Sequence, residues 1–277
     1  MASGHHPSTR PYILARTPDE SRRLTAQHQL LEPLTRRLFA EAGIASGMRV
    51  LDVGSGSGDV ALLAAELVGP TGTVVGVELD EDSVRLAAER SRALKNVRFV
   101  HGDLATIELE GEFDAVVGRF VLMHLSDPAA ILRRLLSLLR AGGLVAFQEP
   151  VLAMPWVSSP ESPALEQVRR LRADAFARGS PVESQMGLKL HGVFVEVGLQ
   201  PVHVWLEALI GVGTDWPGYA YIAETMRSLL PMYRQIGVLG VEDLDVNSLA
   251  ERLRNEIGRA NGSTMIQPTV SAWSAKP

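Results

Sequence analysis

Between Val50 and Asp59 the chain reads VLDVGSGSGD. Gly54, Gly56 and Gly58 stand at every second position behind a short apolar run, with Asp52 before them and Asp59 after them. Glycines so spaced let a backbone turn approach a ligand closely and aim its N–H groups at it. Three kinds of ligand come into question: a nucleotide triphosphate, a dinucleotide pyrophosphate, or a molecule with no phosphate. The first needs Gly, four residues, then Gly-Lys-Ser/Thr, and no lysine follows Gly58. The second needs G-x-G-x-x-G, which counted from Gly54 puts glycine at position 59, and that position is aspartate. An acid in the first turn of the following helix also repels a pyrophosphate. Two carboxylates flanking the turn suit a ligand with a cationic part.

The elements that must position this loop follow from the hydrophobic pattern. Residues 48–54, 73–79, 97–102, 113–118 and 143–150 are short apolar runs that predict strands, alternating with helical stretches at 59–69, 82–94 and 128–140. Such alternation predicts a parallel, doubly wound sheet with helices on both faces and right-handed crossovers. The strand runs are apolar almost throughout, as strands buried on both faces should be. Upstream, Thr17, Pro18 and Glu20 fit a capping box, Leu24, Leu30 and Leu31 recur at helical spacing, and Pro33 predicts a break into helices at about 18–31 and 33–42. Downstream of Pro150 the spacing predicts helices at 164–178, 186–198, 217–234 and 242–260, and strands at 201–213 and 263–275. Because proline cannot donate to a ladder, the last strand is expected to start after Pro268 or to bulge there.

In order along the chain, these segments resemble the class I S-adenosylmethionine-dependent methyltransferases, of the bacterial small-molecule type. Asp52-Val-Gly54-Ser-Gly56-Ser-Gly58 matches the family's D/E-x-G-x-G-x-G motif; VVGVELD, HGDLATI, FDAVVGRFVLMHLSDP and LRAGGLVAFQEP match the segments that follow it. The resemblance covers roughly residues 48–150. It implies S-adenosyl-L-methionine as cofactor and S-adenosyl-L-homocysteine as product. In the roles it implies, Asp52, Gly54, Gly56 and Gly58 serve the amino-acid end, and Glu78, with Leu79 beside it, accepts the two ribose hydroxyls. One carboxylate with two acceptor oxygens suits a vicinal diol. Asp103 and Leu104 bracket adenine, and Arg119 and Phe120 lie beside the methionine part. More loosely, Tyr12, the run Glu20 to Leu24 and Gln27 resemble the family's N-terminal cap over the cofactor. The implied fold is an α/β, doubly wound, Rossmann-like seven-stranded sheet in order 3-2-1-4-5-7-6 with its last strand antiparallel. The expected domains are a helical cap at 1–43 and a core at 44–277, with helical lid insertions at about 151–185 and 214–261.

Two residues are candidates for catalysis. His124, in VLMHL, follows the fourth strand on the side where the family keeps its substrate, so it could bind substrate or act as base; a lone His in an apolar run is as often a core residue. Glu149 ends the fifth strand, where open α/β sheets hold ligands, and could orient a substrate or pair with a neighbour. Arg169, Arg170, Arg172 and Arg178 read as a solvated helix face first and an anion site second. Trp156, Phe176, Trp216, Tyr219, Tyr221 and Tyr233 fall in the two insertions, where they pack the lid or roof an apolar substrate pocket.

Composition closes several routes. The 277 residues include no cysteine, which excludes a disulfide scaffold, a thiolate metal site and a cysteine nucleophile. With 46% hydrophobic and 21% charged residues the chain can bury a core without staples. A net charge of −5 argues against a nucleic-acid face, and no spaced His or carboxylate cluster indicates a metal. Arg119 and His124 interrupt the longest apolar stretch, and the N-terminus, which carries the His5–His6 pair, lacks a signal core. The expectation is a cytoplasmic protein with no membrane or nucleic-acid partner, acting on a small-molecule substrate; the sequence allows a homodimer and leaves the oligomeric state open. The rivals are a cofactor-binding protein of the same fold with a non-methylating activity such as cyclisation, an NAD-dependent oxidoreductase, and a non-catalytic binding module. Methylation of a protein or nucleic acid is disfavoured by the charge and by the absence of an N/D-P-P-Y/F/W motif after strand four.

Overall fold

The computed structural model describes residues 18–277. Tyr12, the His5–His6 pair and Thr17 of the expected capping box lie outside the described residues. In chain order the elements are α1 (Pro18–Ala42), β1 (Arg49–Val53), α2 (Asp59–Val68), β2 (Thr73–Glu78), α3 (Glu81–Arg90), β3 (Val97–His101), β4 (Phe113–Arg119), α4 (Pro128–Ser137) and β5 (Leu139–Pro150). There follow β6 (Val157–Ser159), α5 (Pro163–Ala177), α6 (Met186–Glu196), β7 (His203–Glu207), β8 (Ile210–Val212), α7 (Gly218–Gln235), α8 (Val246–Leu253), β9 (Ser263–Met265) and β10 (Thr269–Ala275).

Seven strands form one sheet in the order β3-β2-β1-β4-β5-β10-β7, with β10 antiparallel to both neighbours. This is the expected order, β7 and β10 being its sixth and seventh strands. Val50, Leu51, Val53, Val74, Val75, Val77, Val116 and Val117 are buried between two apolar layers. Each such side chain contributes about 1.5–3 kcal/mol by leaving water, so the central strands anchor everything the site rests on. Local chemistry sets the helix starts: Asp80 accepts from the Ser83 N–H at 2.8 Å and Asp127 from the Ala130 N–H at 2.8 Å, with Pro128 in the first turn of α4.

Three expectations change. α1 is one helix of 25 residues with Pro33 inside it. The missing N–H of Pro33 is outweighed by packing, since Leu30, Leu31, Leu34, Leu38 and Phe39 are all buried and α1 meets β5, α2 and α7. The expected strand at 201–213 divides into β7 and β8, and that at 263–275 into β9 and β10, with Pro268 in the gap before β10. The short halves join β6 in a second antiparallel sheet of order β6-β9-β8. Three-residue strands carry too little period to be read from sequence. The helical stretch at 242–260 is a short turn at Val241–Asp243, α8, and one π-helical turn at Arg254–Gly258.

The inserted helices have their own core. Trp156, Tyr219, Tyr221 and Tyr233 are buried with Leu165, Val168 and Met226, and Leu30 of α1 joins them. Most of the aromatics singled out downstream of Pro150 therefore pack these helices together. No helix among the described residues is long and apolar enough to cross a membrane.

Candidate active site

The glycine loop leaves the carboxyl end of β1 and feeds α2. Gly54 has a left-handed φ of 63°, and a Cβ there would stand 2.4 Å from Val121 Cγ2, so the chain following β4 closes over the loop only because a side chain is missing. Gly56, at φ 53°, differs: a Cβ built on it meets nothing within 4 Å, because it faces an open cavity. The Gly56 N–H donates to Glu78 Oε2 at 2.9 Å, and Glu78 Oε1 accepts from the Asp80 N–H at 3.0 Å. Glu78 thus ties the end of β2 to the loop.

An ion pair braces the loop. Asp59 Oδ1 meets Arg90 Nη2 at 2.6 Å, and Arg90 Nη1 donates to the Ser57 carbonyl at 2.6 Å, so α3 lashes the loop and the start of α2 together. Asp52 is fully buried beneath the loop, and burial pushes its carboxyl well above the usual range. Its Oδ2, like Ser55 Oγ, has no hydrogen-bond partner among the described residues. Arg119 donates to Thr35 Oγ1 at 3.1 Å; burial pulls its guanidinium below the usual range while Asp59 and Asp52 act against this.

These residues enclose a cavity of about 440 Å³ at the carboxyl ends of β1, β2 and β4. Of the residues singled out in the sequence, Gln27, Gly54, Gly56, Glu78, Leu79, Asp103, Leu104, Arg119, Phe120 and His124 line it. Asp103 Oδ1 accepts from the Ala105 N–H at 2.8 Å, which fixes its carboxylate beside the wall. Asp52 and Gly58 stand behind the wall. Arg23, Asp80 and Met123 also line the cavity and were not singled out. Arg23 lies in the N-terminal run already quoted, and its Nη1 donates to Gln27 Oε1 at 2.6 Å.

A second cavity of about 100 Å³ lies against α5 and α7 and shares Arg23, Phe120, Met123 and His124 with the first. His124 is therefore at the junction of the two. Phe120 holds a left-handed φ of 59°, rare for an aromatic residue, and its N–H donates to the Gln148 carbonyl at 2.8 Å. Glu149 does not reach either cavity. Its Oε1 accepts from the Val121 N–H at 2.9 Å and the Leu122 N–H at 2.7 Å, and its Oε2 from the Met123 N–H at 3.3 Å. Burial pushes this carboxyl up to about 8 against the pull of those three donors. The candidate catalytic acid is thus a cap on the turn that carries His124. The arginine run also divides: Arg169 and Arg170 pair with Glu166 and Arg178 with Asp174 at the surface, whereas Arg172 is buried, its guanidinium 4.1 Å from the Trp156 ring.

A doubly wound sheet with its cavity over the crossing between β1 and β4, where strand order reverses, defines a Rossmann-like α/β protein with a ligand site at the carboxyl strand ends. Residues 44–185, just over half of the chain, match a family described as methyltransferase domain. A demethylmenaquinone methyltransferase of Staphylococcus aureus (strain JH9) is 31% identical over 137 residues, 49% of this chain and 54% of that relative. The chain thus spans about half the length of the curated relatives it matches. A SAM dependent methyltransferase from Aquifex aeolicus is similar in structure, with a TM-score of 0.51 at 21% identity over 70% of this chain and 93% of the other. The [4+2]-cyclase SpnF has a TM-score of 0.52 at 20% identity over 90% and 82% of the two chains. Likeness at such identity is one of fold. The chain belongs to the methyltransferase domain family of class I S-adenosylmethionine-dependent proteins.

Proposed function

We propose that the chain transfers a methyl group from S-adenosylmethionine to an oxygen, nitrogen or carbon atom of a small apolar or aromatic metabolite. The observation that carries this is the pair of joined cavities: a glycine-loop cavity whose wall holds Glu78, Asp103 and Arg119, meeting an aromatic-walled one at Phe120 and His124. The residues present fit the cofactor. Gly56 leaves a cradle that a side chain would fill, and the Glu78 and Asp103 carboxylates on the wall are acceptors suited to ribose hydroxyls and an exocyclic amine.

When bound, S-adenosylmethionine supplies a methyl group already activated by its sulfonium. The chain then has to hold and align. In this reading Glu78 takes the ribose hydroxyls, Asp103 with Leu104 and Leu79 holds the adenine, and Gln27, Arg119, Phe120 and the glycine loop hold the amino-acid end. The lid helices keep water out. Orientation of two reactants can lower a barrier by about 7–11 kcal/mol, which makes alignment the main contribution of the protein. His124, at the junction, accepts a proton where the acceptor must lose one.

Calorimetric titration with S-adenosylhomocysteine and with NAD tests the cofactor side: the former binds, and Glu78→Ala weakens it by about ten-fold or more through loss of charged hydrogen bonds. Binding of NAD alone, or an unchanged affinity in the variant, overturns the assignment. Incubation with a metabolite panel and labelled cofactor tests the reaction, since methyl transfer raises product mass by one methylene. A product isomeric with its substrate is instead the result a cyclase on this fold would give.

A further inference from the structure

Among the described residues, the cation in the second cavity has no carboxylate to neutralise it. Arg172, on α5, is 6% exposed, yet no carboxylate among the described residues lies within ion-pair distance of it. Its guanidinium stacks 4.1 Å from the centre of the Trp156 ring and 5.9 Å from that of Phe176. It makes one long hydrogen bond, Nη2 to the Leu152 carbonyl at 3.4 Å. A guanidinium carries five N–H donors, and burying it without an anion costs several kcal/mol, a cost that stacking on aromatic faces offsets only in part.

The surroundings point the same way. Among the described residues, the wall of this cavity contains Arg23, Arg172 and His124 but no aspartate or glutamate. Thr225, 7% exposed, also lines it, and its Oγ1 has no hydrogen-bond partner among the described residues. Tyr221 is turned by the lid rather than by the arginine: its hydroxyl accepts from Gln267 Nε2 at 3.1 Å, and Gln267 Oε1 in turn accepts from Trp156 Nε1. Apart from Ser180, the remaining wall is mainly apolar and aromatic, with Phe176, Leu229 and Met232.

We infer that the second cavity selects an acceptor that carries an anionic oxygen, a carboxylate or an ionised phenol, on an apolar or aromatic body, and that Arg172 receives this oxygen with Thr225 as a second donor. The opposite end of such a molecule then reaches Phe120 and His124, beside the first cavity, so the methylated atom lies away from the anion. This rests on the methyl-transfer reading of the joined cavities, and Arg172 is a specificity-determining residue within it.

The test is calorimetric titration of the full chain with benzoate against its neutral isostere benzamide, and with nitrophenolate against nitroanisole, each with and without saturating S-adenosylhomocysteine. One anion is expected to bind about ten-fold or more tightly than its neutral counterpart, as a charged hydrogen-bonded contact should; which of the two does so tells carboxylate from phenolate. Arg172→Met abolishes the preference while leaving S-adenosylhomocysteine affinity unchanged, and Arg172→Lys keeps part of it. Equal binding of anion and neutral isostere by the unaltered chain, failure of every probe to bind, or a preference that survives Arg172→Met overturns the inference. Failure of S-adenosylhomocysteine to bind overturns the cofactor assignment instead, and the titrations without it still decide the role of Arg172.

Discussion

Replacing Glu149 by glutamine is expected to change how stability depends on pH, with a sign set by the structure. The Glu149 carboxyl is completely buried, and burial pushes it from an ordinary 4.5 to about 8. A group whose folded pKa is raised favours folding fully below its unfolded pKa and loses that contribution as pH climbs through its folded pKa. The window is therefore pH 4.5 to 8, and the loss is about 1.4 kcal/mol per pH unit, or about 5 kcal/mol across it. Glutamine keeps an acceptor for the Val121 and Leu122 N–H groups but turns a donor toward the Met123 N–H, which costs about 1 kcal/mol at every pH. At pH 5 Glu149→Gln is thus slightly less stable than the unaltered chain, and by pH 8 it is the more stable of the two. Urea unfolding of both proteins across this range measures the difference, in which every other titrating group cancels. A difference independent of pH, or one that moves in favour of glutamate as pH rises, would refute the reasoning.

Two other substitutions probe the walls. Gly56→Ala places a methyl group into the first cavity from a residue at φ 53°, where a left-handed alanine costs about 1–2 kcal/mol; the melting temperature falls by a few degrees while S-adenosylhomocysteine affinity falls by about ten-fold or more, and an unchanged affinity by calorimetry removes the loop from the site. His124→Gln leaves that affinity within a few-fold and lowers turnover by about a hundred-fold or more if the histidine is the base. Equal loss of binding and turnover would mean that it only shapes the junction.

Much of this was legible because the chemistry is local. The loop glycines, the acid that ends β2 and the apolar strand runs each follow from a few adjacent residues, and they placed the sheet order and most of the first cavity's wall. What escaped depends on distant partners. Glu149 acts on backbone groups 26–28 positions earlier, and a carboxylate at a strand end gives no sign of which way it turns. Pro33 looked like a break because the packing that overrides it comes from β5 and α7. Arg172 was hidden by its exposed neighbours, although a signal existed: with Leu165, Val168 and Ala175 it falls on one helical stripe, and those three are buried. A charge in phase with a buried stripe marks a buried residue more surely than a count of arginines marks an exposed face.

The same logic explains how the wall between the two cavities keeps its shape. Gln148 and Glu149 are adjacent on β5, so their side chains leave opposite faces of the sheet. On one face the Gln148 Oε1 lies 2.8 Å from Thr35 Oγ1, the hydroxyl that receives Arg119, and its Nε2 donates to Ser271 Oγ at 3.2 Å. On the other face Glu149 gathers the N–H groups of residues 121–123. Between them the Gln148 carbonyl holds Phe120 in its left-handed conformation, which costs about 1–3 kcal/mol and persists only while its surroundings enforce it. Two consecutive residues, neither on a cavity wall, therefore fix Arg119, Phe120 and the turn that carries His124. The geometry between donor and acceptor is decided one layer behind the surface that would touch them.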